Sequence, residues 1–222
     1  MTMQQTFEQA RENMVENQLR PNKVTDPDLL AAVRRIPREQ FVPRHLQSIA
    51  YVDEDVPLGN GRYLREPVIV ARLIQEAAVQ KGDIVLDIGC NTGYSTAVLG
   101  SLAATVVAVE AEDHFADEAE KLLHDLDICN AVVVRQKDMR EGYGQQGPYN
   151  VIFINGSIPR IPEKIRAQLA DGGRLVTVLS ERGHMGTAVL MTRDGDSFSS
   201  RTLFDAATPT LKGFEAEKAF VF

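Results

Sequence analysis

Apolar residues recur at helical spacing from Phe7 to Leu19 and again from Asp28 to Val33, which predicts two amino-terminal helices. Asp26 and Pro27 suit the cap and first turn of the second. The stretch Ala50 to Pro67, AYVDEDVPLGNGRYLREP, holds no sustained period and is rich in Gly, Pro and Asp. It predicts a long irregular connection of the kind that lines sites. Helical spacing returns from Val68 to Val79, with Pro67 at its first turn. From there strand-like and helix-like stretches alternate: Ile84 to Gly89, Tyr94 to Leu102, Thr105 to Glu110, His114 to Leu126. That alternation is the sequence form of a parallel α/β sheet. Further strands are expected at Ala131 to Arg135, Tyr149 to Ile154 and Arg174 to Leu179, with a helix at Pro162 to Leu169. Finally, Ala188 to Arg193 and Phe198 to Phe204 flank the turn Asp194-Gly195, and AFVF ends the chain. This predicts an antiparallel hairpin at the sheet edge.

Composition narrows the class without changing this picture. The chain has 222 residues, of which 44% are hydrophobic and 25% charged, as expected of one globular enzyme domain. We divide it into amino-terminal helices with a covering loop, 1–67, and an α/β core, 68–222. A net charge of −7 opposes non-specific attraction to a phosphate backbone, so nucleic acid is not an expected partner. No apolar h-region opens the chain, and no uncharged apolar run approaches the roughly 20 residues needed to span a bilayer. A cytoplasmic location away from membranes is expected. Cys90 and Cys129 are the only cysteines and lie far apart, which leaves neither a disulfide framework nor a metal site in view.

The strongest chemical signal is LDIGCNTGY. Asp87 and Gly89 end a buried strand, Gly93 begins a helix, and Cys90, Asn91 and Thr92 fill the loop between. Such a loop lets a ligand approach the backbone closely. About 20 residues further on, Glu110 ends the next strand, where a carboxylate can accept both hydroxyls of an adenosine ribose. After a third strand, Asp138 can accept the exocyclic amine of an adenine while Met139 packs near the ring; alone, Asp138 would read as a solvated loop carboxylate. Two competing readings are weaker. A dinucleotide site wants further glycines in the G-x-G-x-x-G positions, which this loop lacks, and a purely structural turn does not account for Glu110.

Across most of its length, from Met14 to about Leu211, the chain resembles the protein-L-isoaspartate O-methyltransferase family of S-adenosylmethionine-dependent enzymes. The likeness rests on IPREQFVP, AYVDEDVPLGNG leading to LREPVIVARLI, VLDIGCNTGYSTAVL, VVAVE, GPYNVIFINGSIPRIPEKIRAQLADGGRLV and TPTLKG. It implies a Rossmann-like seven-stranded methyltransferase sheet, mostly parallel with an antiparallel carboxyl-terminal edge, preceded by amino-terminal helices. It further implies a monomer that methylates the carboxylate of isoaspartyl residues in damaged peptides or proteins, a repair activity. The cofactor would be held by Leu64, Asp87, Gly89, Cys90, Asn91, Gly93, Glu110, Asp138 and Met139. Three positions depart from the family pattern: Leu64-Arg65-Glu66-Pro67 stands for Ile-Ser-x-Pro, Asn91 for a middle glycine, and Lys137-Asp138-Met139 for Gly-Asp-Gly. Asn91 tolerates positive φ better than most residues. Arg65 can either pair with a substrate carboxylate or fill the acceptor pocket. Asp53 matches the family's Tyr-x-Asp segment, which implies that it orients the substrate or caps the loop.

Methyl transfer from a sulfonium needs an aligned nucleophile more than proton chemistry, and a carboxylate is already ionised near neutral pH. The scattered histidines His45, His114, His124 and His184 are accordingly read as surface or packing residues. Two alternatives stay open at this point: a different carboxylate acceptor, and a cofactor-binding regulatory module that has lost isoaspartyl turnover. Asn60-Gly61 and Asn155-Gly156 add a separate feature, since an asparagine followed by glycine is the arrangement most open to succinimide formation.

Overall fold

The computed structural model describes residues 3–181 and 185–215. The expected terminal strand AFVF and His184 lie outside the described residues. Helix α1, Met3–Met14, passes directly into a π-helical turn, Val15–Leu19, so the first predicted helix is continuous but changes its winding. Helix α2 spans Pro27–Arg35, and the Asp26 carboxylate accepts the Leu29 amide at 2.9 Å, the cap the sequence promised. Two 3₁₀ turns, Arg38–Phe41 and Arg44–Ile49, lead into the segment expected to be irregular. It contains instead a small antiparallel hairpin, β1 at Val56–Gly59 and β2 at Arg62–Leu64. The reason is Asn60-Gly61, both at positive φ (52° and 74°), which is the turn that matches the twist of two short strands.

Helix α3, Pro67–Ala77, precedes the alternating core: β3 Ile84–Ile88, α4 Tyr94–Gly100, β4 Thr105–Glu110, α5 Asp113–Asp125, β5 Ala131–Arg135 and β6 Tyr149–Ile158. The helix expected at Pro162 to Leu169 is a single turn, α6 at Glu163–Arg166, because β7 starts early and runs over Leu169–Leu179. Strands β8, Gly186–Asp194, and β9, Ser197–Ala206, complete a seven-stranded sheet of order β5-β4-β3-β6-β7-β8-β9. The first five strands in that order pair in parallel, and β8 and β9 join the edge through antiparallel pairing of β7 with β8 and of β8 with β9, as expected. No described helix is long and apolar enough to cross a membrane.

Both faces of the central parallel strands β3, β4 and β6 are buried, which explains why they read as unbroken apolar runs rather than alternating ones. Val85, Val106, Ala108, Val151 and Phe153 face the layer containing the amino-terminal helices. Leu86, Ile88, Val107, Val109, Ile152 and Ile154 face the layer built from Met139, Tyr149, Ile165, Leu211 and Phe214. The chain moves outward in opposite directions from β3 and β6, so the crevice at their carboxyl ends is the topological switch point where open α/β sheets bind ligands.

Candidate active site

Three backbone features converge on that crevice. The loop after β3 carries positive φ at Gly89 (79°), Asn91 (54°) and Gly93 (94°), and the Gly89 and Cys90 amides both donate to the Val109 carbonyl, at 2.8 and 3.3 Å. Strand β6 bulges, since Phe153 pairs with Val176 but Ser157 with Val178, and the extra residues put Asn155-Gly156 over the crevice. The third is the segment carrying TPTLKG, which runs across the end of β6: Ser157 N donates to Pro209 O at 3.2 Å and Leu211 N to Ser157 O at 2.8 Å. Leu211 lies so close to Gly89 that a Cβ there would stand 2.7 Å from its Cδ1.

The fully buried Glu110 is the electrostatic centre of the site. Its Oε1 accepts the Ala111 and Glu112 amides at 2.9 and 3.1 Å, and its Oε2 accepts the Asn91 amide at 2.9 Å. Arg62, from β2, closes a bidentate pair with it: Nη1 donates to Oε1 at 2.7 Å and Nη2 to Oε2 at 2.5 Å. The Arg62 Nε donates to Asn91 Oδ1 at 2.7 Å, and the guanidinium lies 5.7 Å from the Phe115 ring centroid. Arg62 is 2% exposed. Sequence reasoning missed it, although the Asn60-Gly61 turn and the period of two along β2 would have aimed Arg62 and Leu64 to the same, inward side.

Below the loop, Asp87 is wholly buried. Its Oδ2 accepts the hydroxyls of Ser95 and Thr96 at 2.8 and 2.7 Å, while Oδ1 has no hydrogen-bond partner among the described residues. Burial raises its pKa to about 6, against the pull of the two hydroxyls. Asn155 Nδ2 reaches Ser95 Oγ at 3.1 Å and leaves its own Oδ1 unpartnered in the same way. Cys90 is buried, and burial pushes its thiol pKa well up, so it serves as an inert wall of the loop. Gly93 packs on α5, where a Cβ would stand 3.2 Å from that of Ala119.

Arg65 is buried beside the β6 bulge, with Nε donating to the Asn155 carbonyl at 3.3 Å and Nη1 to Thr208 Oγ1 at 3.1 Å. Burial lowers its pKa to about 10, opposed by Asp55, whose Oδ2 lies 4.0 Å from Nη1. The carboxylate that meets Arg65 is thus Asp55, while Asp53 is exposed on the same loop. Asp55 Oδ1 also accepts the Glu66 amide at 2.8 Å. A second arginine unforeseen from sequence, Arg38 of IPREQFVP, is fully buried and donates to the carbonyls of Ala50 and Arg65 at 2.6 and 2.5 Å, stapling the whole covering segment. Leu64, within that segment, is also buried. Asp138 follows β5 as expected but is held by Arg140, through Nε and Nη2 at 2.8 Å each, which lowers its pKa. Met139 is buried in the layer below. The structure therefore gathers Leu64, Arg65, Asp87, Gly89, Cys90, Asn91, Gly93 and Glu110 around the carboxyl ends of β3, β4 and β6, whereas Asp138 is paired with Arg140 and Asp53 is exposed.

Comparison with known proteins identifies the family. Residues 9–207 match the family model described as Protein-L-isoaspartate(D-aspartate) O-methyltransferase (PCMT). The protein-L-isoaspartate O-methyltransferase of Methanoculleus marisnigri is 38% identical over 185 residues, covering 83% of this chain and 84% of the relative. That of Rhodopseudomonas palustris is 36% identical over 203 residues, 91% and 93% of the two chains. Among solved structures, a protein-L-isoaspartate O-methyltransferase superposes with a TM-score of 0.80 at 25% identity, covering 92% of this chain and 67% of the other. A Plasmodium falciparum structure described as a complex with S-adenosyl-L-homocysteine gives a TM-score of 0.76 at 17% identity, covering 93% and 98%, a likeness of fold. On the family match and the extent of these identities, the chain belongs to the protein-L-isoaspartate O-methyltransferase family.

Proposed function

We propose that this protein is an S-adenosylmethionine-dependent carboxyl methyltransferase acting on L-isoaspartyl residues of damaged proteins, working as a cytoplasmic monomer. The observation that carries the reading is the coincidence of family membership with a nucleoside-binding layout at the switch point: a glycine loop of positive φ and a buried carboxylate, Glu110, ending the neighbouring strand. The net charge of −7 fits a protein substrate better than a nucleic acid.

The donor set fits the cofactor. Glu110 would hold the ribose hydroxyls, Asp138 the adenine amine beside Met139, and the loop from Gly89 to Gly93 would lie along the nucleoside, with Leu64 as a wall. The Oδ1 atoms of Asp87 and Asn155, without a hydrogen-bond partner among the described residues, supply buried acceptors suited to an ammonium group. When bound, the cofactor supplies a methyl group on a positively charged sulfur. The chain's own part is alignment and exclusion of water. Arg65 anchors the acceptor carboxylate as a guanidinium, a charged replacement for the family's serine hydroxyl, and Asp53 orients the substrate backbone at the open side of the loop. Because the acceptor is ionised at neutral pH, no general base is required. The test is transfer of labelled methyl from S-adenosylmethionine to a short isoaspartyl peptide, with the matching aspartyl peptide as control. Selective labelling of the isoaspartyl peptide is expected; equal labelling of both, or of neither, would refute this assignment.

A further inference from the structure

Glu110 is saturated by the protein itself. A carboxylate offers about four lone-pair sites, and Glu110 receives five donors: three backbone amides and two guanidinium nitrogens. The amides come from the loop after β3 and from the entry to α5, so they belong to the fixed frame. The guanidinium comes from a hairpin of short strands whose turn, Asn60-Gly61, is exposed. Arg62 presents its two N–H groups side by side, one to each carboxylate oxygen. A ribose presents two neighbouring hydroxyls in the same way.

We infer that Arg62 is an internal ligand that occupies the ribose position on Glu110, so that the β1–β2 hairpin is a latch which the nucleoside must displace to bind. This rests on the methyltransferase reading proposed above. Several contacts make the closed state a defined conformation rather than an incidental one. Arg62 Nε is anchored on Asn91 of the glycine loop, and the guanidinium is packed toward Phe115. The hairpin tip is tied to the start of α5, where Asn60 Nδ2 donates to Glu112 Oε2 at 3.0 Å. Asn91 also fastens the hairpin through Nδ2 to the Tyr63 carbonyl at 3.1 Å, so the residue standing in place of the family's middle glycine serves the latch. Withdrawing Arg62 removes one donor from each oxygen of Glu110 and leaves the three amides in place, two on Oε1 and one on Oε2, so that a free acceptor direction opens on Oε2. The site that remains keeps its charge and its orientation.

A ligand that competes with an internal group binds with its intrinsic affinity reduced by the fraction of molecules open at any moment. Removing the guanidinium must therefore tighten binding. The experiment is calorimetric titration of S-adenosylhomocysteine into the full chain, comparing the wild type with Arg62→Gln and Arg62→Lys, each checked for folding by circular dichroism. Arg62→Gln is expected to lower Kd by roughly tenfold or more, and Arg62→Lys, which keeps a charge but not the fork, by an intermediate factor. Should Arg62→Gln fail to fold, Arg62→Lys carries the test and must still bind more tightly than the wild type. Equal or weaker binding by the folded variants would overturn the latch while leaving the methyltransferase reading intact. Absence of binding in all three proteins would overturn both.

Discussion

Asp87 gives the clearest quantitative test of the site's electrostatics. It is fully buried, only one of its oxygens is hydrogen-bonded among the described residues, and its pKa rises from 3.8 to about 6. The sign follows from linkage. Between those two values the native state holds a proton that the unfolded state has released, so folding stability falls as pH rises through this window. A shift of that size amounts to roughly 2 kcal/mol of stability lost between pH 4 and pH 7, and about 3 kcal/mol once both states are ionised. Asp87→Asn removes the titration while preserving an acceptor for Ser95 and Thr96. Any fixed cost of the new amide is common to all pH values and cancels in the comparison. Urea unfolding followed by circular dichroism, at several pH values from 4 to 7.5, should find the variant gaining on the wild type by roughly 2 kcal/mol across the range. A difference between the two proteins that stays constant with pH would refute the buried, half-satisfied carboxylate.

Gly89→Ala should lower stability by roughly 2–3 kcal/mol, since alanine is strained at a φ of 79° and its Cβ would press on Leu211; adding Leu211→Ala should relieve the crowding but not the backbone strain in a thermal melt. Arg174 ties the end of α3 to the start of β3, through Ala77 O at 2.7 Å and Asp83 Oδ2 at 2.5 Å, so Arg174→Met should cost roughly 2 kcal/mol in urea unfolding. After prolonged ageing, incubation with S-adenosylmethionine should add the mass of a methyl group to the protein, and peptide mapping should find it at exposed Asn60 rather than at Asn155, which is buried in β6. Intact-mass spectra with no such gain would remove the protein from its own list of substrates.

The sheet and the glycine loop were legible in the chain because both are local signals. Runs such as TVVAVE need burial on two faces whatever surrounds them, and Gly89, Asn91 and Gly93 mark backbone that must turn through positive φ. Glu110 could be placed from spacing alone, since one βαβ step brings it beside that loop. What escaped were decisions made by residues far apart in sequence. The extent of α6 was settled by the pairing of Tyr149 with Leu169, which drew the start of β7 into the sheet and left room for only one helical turn. Hairpin propensity at Asn60-Gly61 was present in the sequence, but its partner was not: only the tertiary structure decided that Arg62 reaches Glu110, 48 positions away, rather than solvent. Likewise Arg65 meets Thr208 across 143 positions, and its carboxylate neighbour is the half-buried Asp55. Local backbone preferences act within a few residues and can be read in order along the chain. The partner of a buried charge is chosen by the folded arrangement that best repays its loss of water, and in this protein that choice set the state of the site.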